Sequence, residues 1–296
     1  MQLPSYLLLL IVFFPVSIAS AQEKKPRPEF HILSADGQDT LFAAKHVYLH
    51  YSPDSSQVSI QHEAVYKLIF RLPYHGLKAD HLEAVWDKES DMVFFHASDM
   101  HNRFYFTDPD KRKLELSSSN GVLDLEEKAL QLKNVPAIHA GNAMIIPKDH
   151  TVVIRQDGLP PIPQAHIILN AFTRHHQFLC DKVQVKSRKE FVHGENLAYT
   201  YYHAPTRKTY QFEEVTIASE EVKEDFKVAF ETTITLSIKP EDRFELFEGY
   251  YFKGEATAKD WEKEFQFRGH IGKKPDSASG TIEWTPYEGK EQLGRF

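Results

Sequence analysis

From Thr40 onward, apolar and polar residues alternate in short runs separated by polar turns. The period is two, not 3.6, so each run reads as a strand with one apolar face. Tyr199 and Tyr201 precede the turn His203-Ala204-Pro205-Thr206-Arg207, and Tyr210, Phe212, Val215 and Ile217 follow it. Val47 and Leu49 lead through Ser52-Pro53-Asp54-Ser55 to Val58 and Ile60, and Leu82 with Val85 leads through Asp87-Lys88-Glu89 to Val93 and Phe95. Phe104 and Phe106 pass through Asp108-Pro109-Asp110-Lys111 to Leu114 and Leu116, and Val122 with Leu125 through Glu126-Glu127-Lys128 to Leu130 and Leu132. Ile167 and Leu169 answer Phe178 and Val183; Ile234, Leu236 and Ile238 answer Phe244 and Leu246; a turn at Lys259-Asp260 precedes Phe265 and Phe267. The turns carry suitable chemistry, since Pro presets φ and Asp or Ser bonds its own backbone. Helical patterns are nearly absent, and the acidic stretch 220–227 reads as a solvated loop or a brief helix. The expected fold is all-β, with repeated antiparallel hairpins forming a curved, slot-like β-jelly-roll or β-solenoid.

The N-terminus breaks this pattern. Residues 7–18 are almost unbrokenly apolar, too short to cross a bilayer comfortably, and end in Ala19-Ser20-Ala21. This is the form of a secretory signal peptide over residues 1–21, cleaved before Gln22, although no Lys or Arg precedes the apolar run. The proline-rich Leu159-Pro160-Pro161-Ile162-Pro163 cannot support a continuous hydrogen-bonded ladder and marks the expected internal boundary. It divides an N-terminal β-repeat half, 22–158, from a C-terminal half, 164–272. Beyond lies a polar tail, 273–296, with at most one strand near Thr281 to Trp284.

Composition narrows the compartment and the class. The chain of 296 residues is 42% hydrophobic and 26% charged with a net charge of −7, which suits a folded core and disfavours nucleic acid as a partner. A lone cysteine, Cys180, permits no internal disulfide, and its apolar neighbours Phe178 and Leu179 predict a buried, inert thiol. No Asn-x-Ser/Thr acceptor occurs, which favours a bacterial envelope over a eukaryotic secretory route.

With the hairpins laid out, the chain resembles the OstA/LptA-like β-repeat family, periplasmic proteins that carry lipopolysaccharide between two membranes. The likeness rests on Ala35-Asp36-Gly37 through Ser52-Pro53-Asp54, on Gly121-Val122-Leu123-Asp124 through Leu130-Gln131-Leu132, and on Leu197 to Ile217. Ile145-Ile146-Pro147, Val152-Val153-Ile154-Arg155 and the stretch from Phe178 to Ser187 look like segments of large uncharacterised secreted proteins of Bacteroidota. The first resemblance implies an apolar slot that takes acyl chains of an envelope lipid or lipopolysaccharide, lined by Tyr199, Tyr201, Tyr210, Phe212, Phe244, Leu246, Phe265 and Phe267. Ordinary sheet core explains the same aromatic stripe. The resemblance also implies edge-strand pairing with another β-protein and a place in the periplasm or at the outer-membrane surface of a Gram-negative bacterium.

Catalytic and metal motifs are missing. Sixteen histidines include the adjacent pair His175-His176, expected in a surface turn, and His46 with His50, which share a strand face but lack a third ligand. No Gly-x-Ser-x-Gly elbow or phosphate-binding glycine loop occurs. The expectation is a non-enzymatic scaffold or carrier without cofactor or metal. The alternative is a glycan-binding or adhesion/assembly β-sandwich module at the cell surface, with Trp86, Trp261 and Trp284 stacking on sugars. Edman sequencing of the exported protein is expected to begin at Gln22; a start at Met1 would show that the apolar segment is retained.

Overall fold

The computed structural model describes residues 29–34, 36–45, 47–62, 68–71, 76–79, 83–96, 103–107, 113–155, 158–185, 191–200, 209–224 and 227–284. The chain is all-β: its sheets are antiparallel, none closes into a barrel, and the one helical turn among the described residues is a 3₁₀ turn at Pro240–Asp242. It divides into two compact units, one of Met1–Pro136 with Thr151–Pro160 and one of Ala137–His150 with Pro161–Phe296.

In the first unit, β1 (Glu29–Leu33), β2 (Thr40–Lys45), β5 (Leu68–Arg71) and β6 (Gly76–Ala79) form one sheet in that order. A second sheet runs β15 (Val152–Ile154), β12 (Ala129–Lys133), β11 (Asn120–Asp124), β8 (Met92–His96), β7 (Glu83–Asp87), β4 (Gln57–His62) and β3 (Val47–Tyr51). The expected hairpins are present, but in two of them Trp86 and Leu123 take the buried face in place of the expected Val85 and Val122, which are half-buried; Val58, Trp86, Val93, Leu123, Leu130 and Ile154 stand side by side in register and are all buried. Phe30 and Phe42 of the first sheet reach Trp86 and Phe95 of the second at ring separations of 6.3 and 6.2 Å, so the two inner faces form a sandwich core. A further hairpin pairs β9 (Arg103–Thr107) with β10 (Lys113–Ser117).

The second unit is built on a long meander of hairpins. Its order is β24 (Gly280–Trp284), β23 (Gln266–Gly272), β22 (Tyr250–Lys259), β20 (Lys227–Ile238), β19 (Thr209–Glu224), β18 (Phe191–Thr200), β17 (His176–Val185), β16 (Ile162–Leu169), β14 (Ala143–Pro147) and β13 (Ile138–Ala140). Three sequence expectations are corrected here. The acidic stretch 220–227 is neither helix nor loop over its described residues, because Val222 and Lys223 pair with Ala229 and Val228 in the β19–β20 ladder. The strand containing Leu246, β21 (Glu245–Phe247), pairs with β22 and not with β20, since the 3₁₀ turn and the left-handed Arg243 redirect the chain. Pro163 lies inside β16, where it sits beyond Pro147↔Ala165, the last pair made with β14, and needs no donor on that side.

A single sheet without helices can bury a face only by curving over it. Four neighbouring strands of this unit share the device that allows this. Pro163-Gln164, Asp181-Lys182 and Glu213-Glu214 are consecutive exposed pairs, and Glu195-Asn196 is a half-exposed and exposed pair. These pairs lie side by side across β16, β17, β18 and β19, and in each strand the buried positions change parity there: Phe178 and Cys180 give way to Val183 and Val185, Tyr210 and Phe212 to Val215 and Ile217. The ladder pairing skips Gln164, Asp181 and Asn196, and both Gln164 and Asn196 are left-handed. Such irregularities bend strands and increase their twist. Ring contacts between strands distant in the sheet follow: Tyr199 of β18 lies 5.7 Å from Phe265, at the entrance to β23.

Phe267 is 1% exposed and meets Phe244, Phe252, Phe265 and Trp284 at 5.3–6.3 Å between centroids. Phe267→Ala is expected to cost about 3–5 kcal/mol by denaturant unfolding; a loss under about 1 kcal/mol would show that this cluster is not the centre of the unit's core.

Candidate functional site

The aromatic stripe singled out in the sequence is brought together, but as a filled core. Tyr199, Tyr210, Phe212, Phe244, Leu246, Phe265 and Phe267 are all buried, and Tyr201 lies outside the described residues. Tyr210 and Phe244 stand 4.7 Å apart, Phe212 and Phe244 6.0 Å, Phe244 and Phe267 5.8 Å. None of these residues lines either of the two cavities described below. Of the three tryptophans, Trp86 is buried, Trp284 stacks on Phe267, and Trp261 is 49% exposed with the Lys259 ammonium over its ring. They do not make a common flat patch.

One end of the second unit is fastened by buried polar groups. Asp260, 1% exposed, accepts through Oδ2 from the side-chain amides of Asn142 and Asn170 at 2.8 and 3.0 Å. Asn142 also donates to the Phe230 carbonyl, Thr173 donates to the Asp260 carbonyl, and the buried Thr232 hydroxyl meets Ser219 and the Asn142 amide. These residues join the turns of the β13–β14, β16–β17 and β22–β23 hairpins to the middle of the β19–β20 ladder. Gly141 is required in this cluster, because its φ is +58° and a Cβ would fall 1.9 Å from the Ser219 hydroxyl.

His176 extends the fastening and corrects the sequence reading: it begins β17 and is fully buried, while His175 is exposed. Its Nε2 lies 2.9 Å from the Glu262 carbonyl and its Nδ1 3.1 Å from the Tyr199 hydroxyl. A carbonyl only accepts, so Nε2 carries the hydrogen and a neutral ring accepts the tyrosine O–H at Nδ1. Burial pushes this imidazole down to about 4, against a smaller opposing effect of the Glu262 carbonyl. Burial likewise pushes the Cys180 thiol up to about 12, which leaves it unreactive. His50 is exposed and His46 lies outside the described residues. Among the described residues no three His, Cys, Asp or Glu side chains are grouped to hold a metal ion.

The cavity with the most distinct chemistry is in the first unit, at one end of its sandwich. It has a volume of about 420 Å³, within the range of small-molecule sites. Three hairpin ends converge on it: Ile32, Leu33, Ser34 and Leu41 flank the β1–β2 turn, Trp86, Lys88 and Asp91 the β7–β8 turn, and Leu125, Glu126 and Lys128 the β11–β12 turn. The walls are apolar and the charged groups are two lysines and two acids. Left-handed backbone at Asp91 and Lys128 closes two of these turns, and the Leu125 amide donates to the Asp91 carbonyl at 3.1 Å. In the β1–β2 turn, Ser34 donates to the Asp36 carboxylate and accepts from the Asp39 amide; Ser52, Asp54 and Gln57 repeat that arrangement in the β3–β4 turn. These bonds hold the Asp36 and Asp54 carboxyls below their usual range, Asp54 at about 2.

Lys88 crosses between turns: its ammonium donates to the Ser55 carbonyl at 2.7 Å and lies 5.6 and 5.7 Å from the ring centroids of Tyr51 and Trp86. Lys128 pairs with Asp39 at 3.3 Å. Burial, and then Asp124, raise the Asp91 carboxyl above its ordinary value. By sequence Lys88, Glu126 and Lys128 are turn residues and Trp86 a candidate sugar platform; three separate turns meeting at one place is not a local signal.

A second cavity, of about 490 Å³, lies on the other unit beside the row of double-exposed pairs, with Lys148, Gln164, His166, Leu179 and Asp181 among its walls. Compared with models of protein families and with curated proteins, the chain matches none.

The His176 ring titrates below its unfolded value of about 6.5, so the unfolded chain takes the proton first as pH falls. Stability from this group is complete above about pH 6.5 and is lost toward pH 4, by about 3 kcal/mol. Unfolding measured against pH should show a shallower acid slope in His176→Gln than in the native chain; equal slopes would place the proton uptake elsewhere.

Proposed function

We propose that this chain is an exported, non-enzymatic β-repeat scaffold or carrier of a Gram-negative envelope that binds an amphipathic lipid, as the OstA-like resemblance implies. The observation that carries this reading is the cavity of about 420 Å³ in the first unit, with apolar walls from Ile32, Leu33, Leu41, Trp86 and Leu125 and charged groups beside them. An acyl chain buried against such walls contributes about 0.8 kcal/mol for each methylene removed from water. The lipid site therefore moves from the aromatic stripe, which is filled by its own rings, to the end of the sandwich.

The hairpin meander supports the slot-like β-solenoid form of this reading, since consecutive hairpins can be extended or capped by another chain. An edge suited to that is β3: it carries no Pro, Lys or Glu, and Tyr48 and Tyr51 are 53% and 48% exposed. Exposed aromatics on this edge and at Phe94 are also what the glycan-binding alternative would use.

The protein purified from Gln22 onward out of its own envelope, under mild conditions, is expected to carry lipid or lipopolysaccharide in stoichiometric amount by mass spectrometry. Leu41→Trp, which fills the cavity, should reduce retained lipid at least tenfold with the fold intact by circular dichroism. A lipid-free native protein that also takes up no added fatty acid would overturn the carrier reading.

A further inference from the structure

We infer that the cavity of the first unit selects an anionic head, a carboxylate or phosphate borne on a single hydrocarbon chain, and holds it between the Trp86 indole and the Lys88 ammonium. The inference rests on the reading of this cavity as a lipid site and specifies its ligand.

Two observations point to the head group independently. Trp86 lines the cavity and is 2% exposed, and its indole Nε1–H, which can only donate, has no acceptor among the described residues. A buried donor left unmet costs about 1–3 kcal/mol; Nε1 is closed off from water, and a ligand oxygen that displaced a neighbouring group to reach it would remove that cost. A hydrocarbon alone would leave that cost in place, so the ligand brings oxygen to this point.

The second observation is the sign of charge. Lys88 meets a neutral carbonyl and two aromatic faces, and among the described residues it forms no ion pair with a carboxylate. Its ammonium therefore retains an unneutralised positive charge on the same ring that carries the unmet donor. Lys128, by contrast, is already paired with Asp39. The cavity's acids, Asp91 and Glu126, belong to the β7–β8 and β11–β12 turns. An anionic oxygen at the Lys88 end satisfies the indole and the ammonium together, and its chain continues along Ile32, Leu41 and Leu125.

Calorimetric titration of the chain from Gln22 onward with dodecanoate, dodecyl phosphate and dodecanol, each below its micelle concentration, tests this. Both anions are expected to bind at least tenfold more tightly than the alcohol, and the ratio between them shows which head the site prefers. Lys88→Met should bring the anion-to-alcohol ratio near one, and Trp86→Phe should weaken the anions and the alcohol alike by several-fold, because a hydroxyl oxygen also accepts from the indole. Circular dichroism and an unfolding midpoint matching the native chain report that both variants fold. Equal binding of alcohol and anions by the native chain would overturn the anionic head and leave the lipid cavity standing. An anion preference that survives Lys88→Met, or undiminished binding of all three ligands by Trp86→Phe, would overturn the assignment of the head to this end. Binding of none of the three would overturn the carrier reading and this inference together.

Discussion

An open antiparallel sheet with no helix against it has to cover one of its own faces, and in the second unit that constraint governs the rest. The chain has one cysteine, whose thiol is buried, so no disulfide shares the task. Curvature does it instead: the parity change aligned across β16 to β19 lets four strands bend together while Phe178, Val183, Leu197, Phe212 and Val215 all stay inside. Had one strand kept strict alternation through that row, its second half would have presented Val183, Leu197 or Val215 to water. The ring cluster around Phe244 and Phe267 is the product of that bend, and the buried hydrogen bonds of Asp260 and His176 hold the hairpin ends at its margin.

Much of this architecture was legible in the chain. Alternation located β3 with β4, β7 with β8, β11 with β12 and β16 with β17, because each hairpin is local and one face of each strand is apolar. The parity change is visible too, in the three-residue steps from Phe212 to Val215 and from Cys180 to Val183, although nothing local shows that these steps line up. The errors have physical causes. Glu220 to Glu224 look soluble on charge, yet cross-strand hydrogen bonding to β20 outweighs composition. His176 looks like a surface turn residue beside Arg174, yet the Tyr199 hydroxyl and the Glu262 carbonyl satisfy both ring nitrogens and allow burial.

The functional reading depends on the same distinction between local and assembled features. Aromatic residues at period two announce themselves in the sequence, and the fold uses them as filler. The space that can receive a ligand is bounded by ends of three hairpins, contributed by residues as far apart as Ile32 and Lys128. Its chemistry comes from what the sandwich leaves over: an indole donor without acceptor among the described residues and an ammonium held over aromatic faces. Neither is a motif, and both exist only once the sheets have packed.

The sheet order of the second unit also prescribes a sequence of events. Nearly every strand from β16 to β24 pairs with its immediate predecessor, so loops to be closed are short and hairpins can be added one after another as the chain is delivered. The contacts of Phe265 with His176 and Tyr199 are different, because they join residues more than sixty positions apart. Until β22 and β23 are delivered, the inner face of β17 and β18 stands uncovered with Phe178 and Tyr199 toward solvent, a surface that holdases recognise by its apolar character. The last quarter of the chain thus acts as the latch of the first strands of its unit, and a ribosome stall or protease cut before Phe265 would release an adhesive intermediate instead of a shorter folded protein.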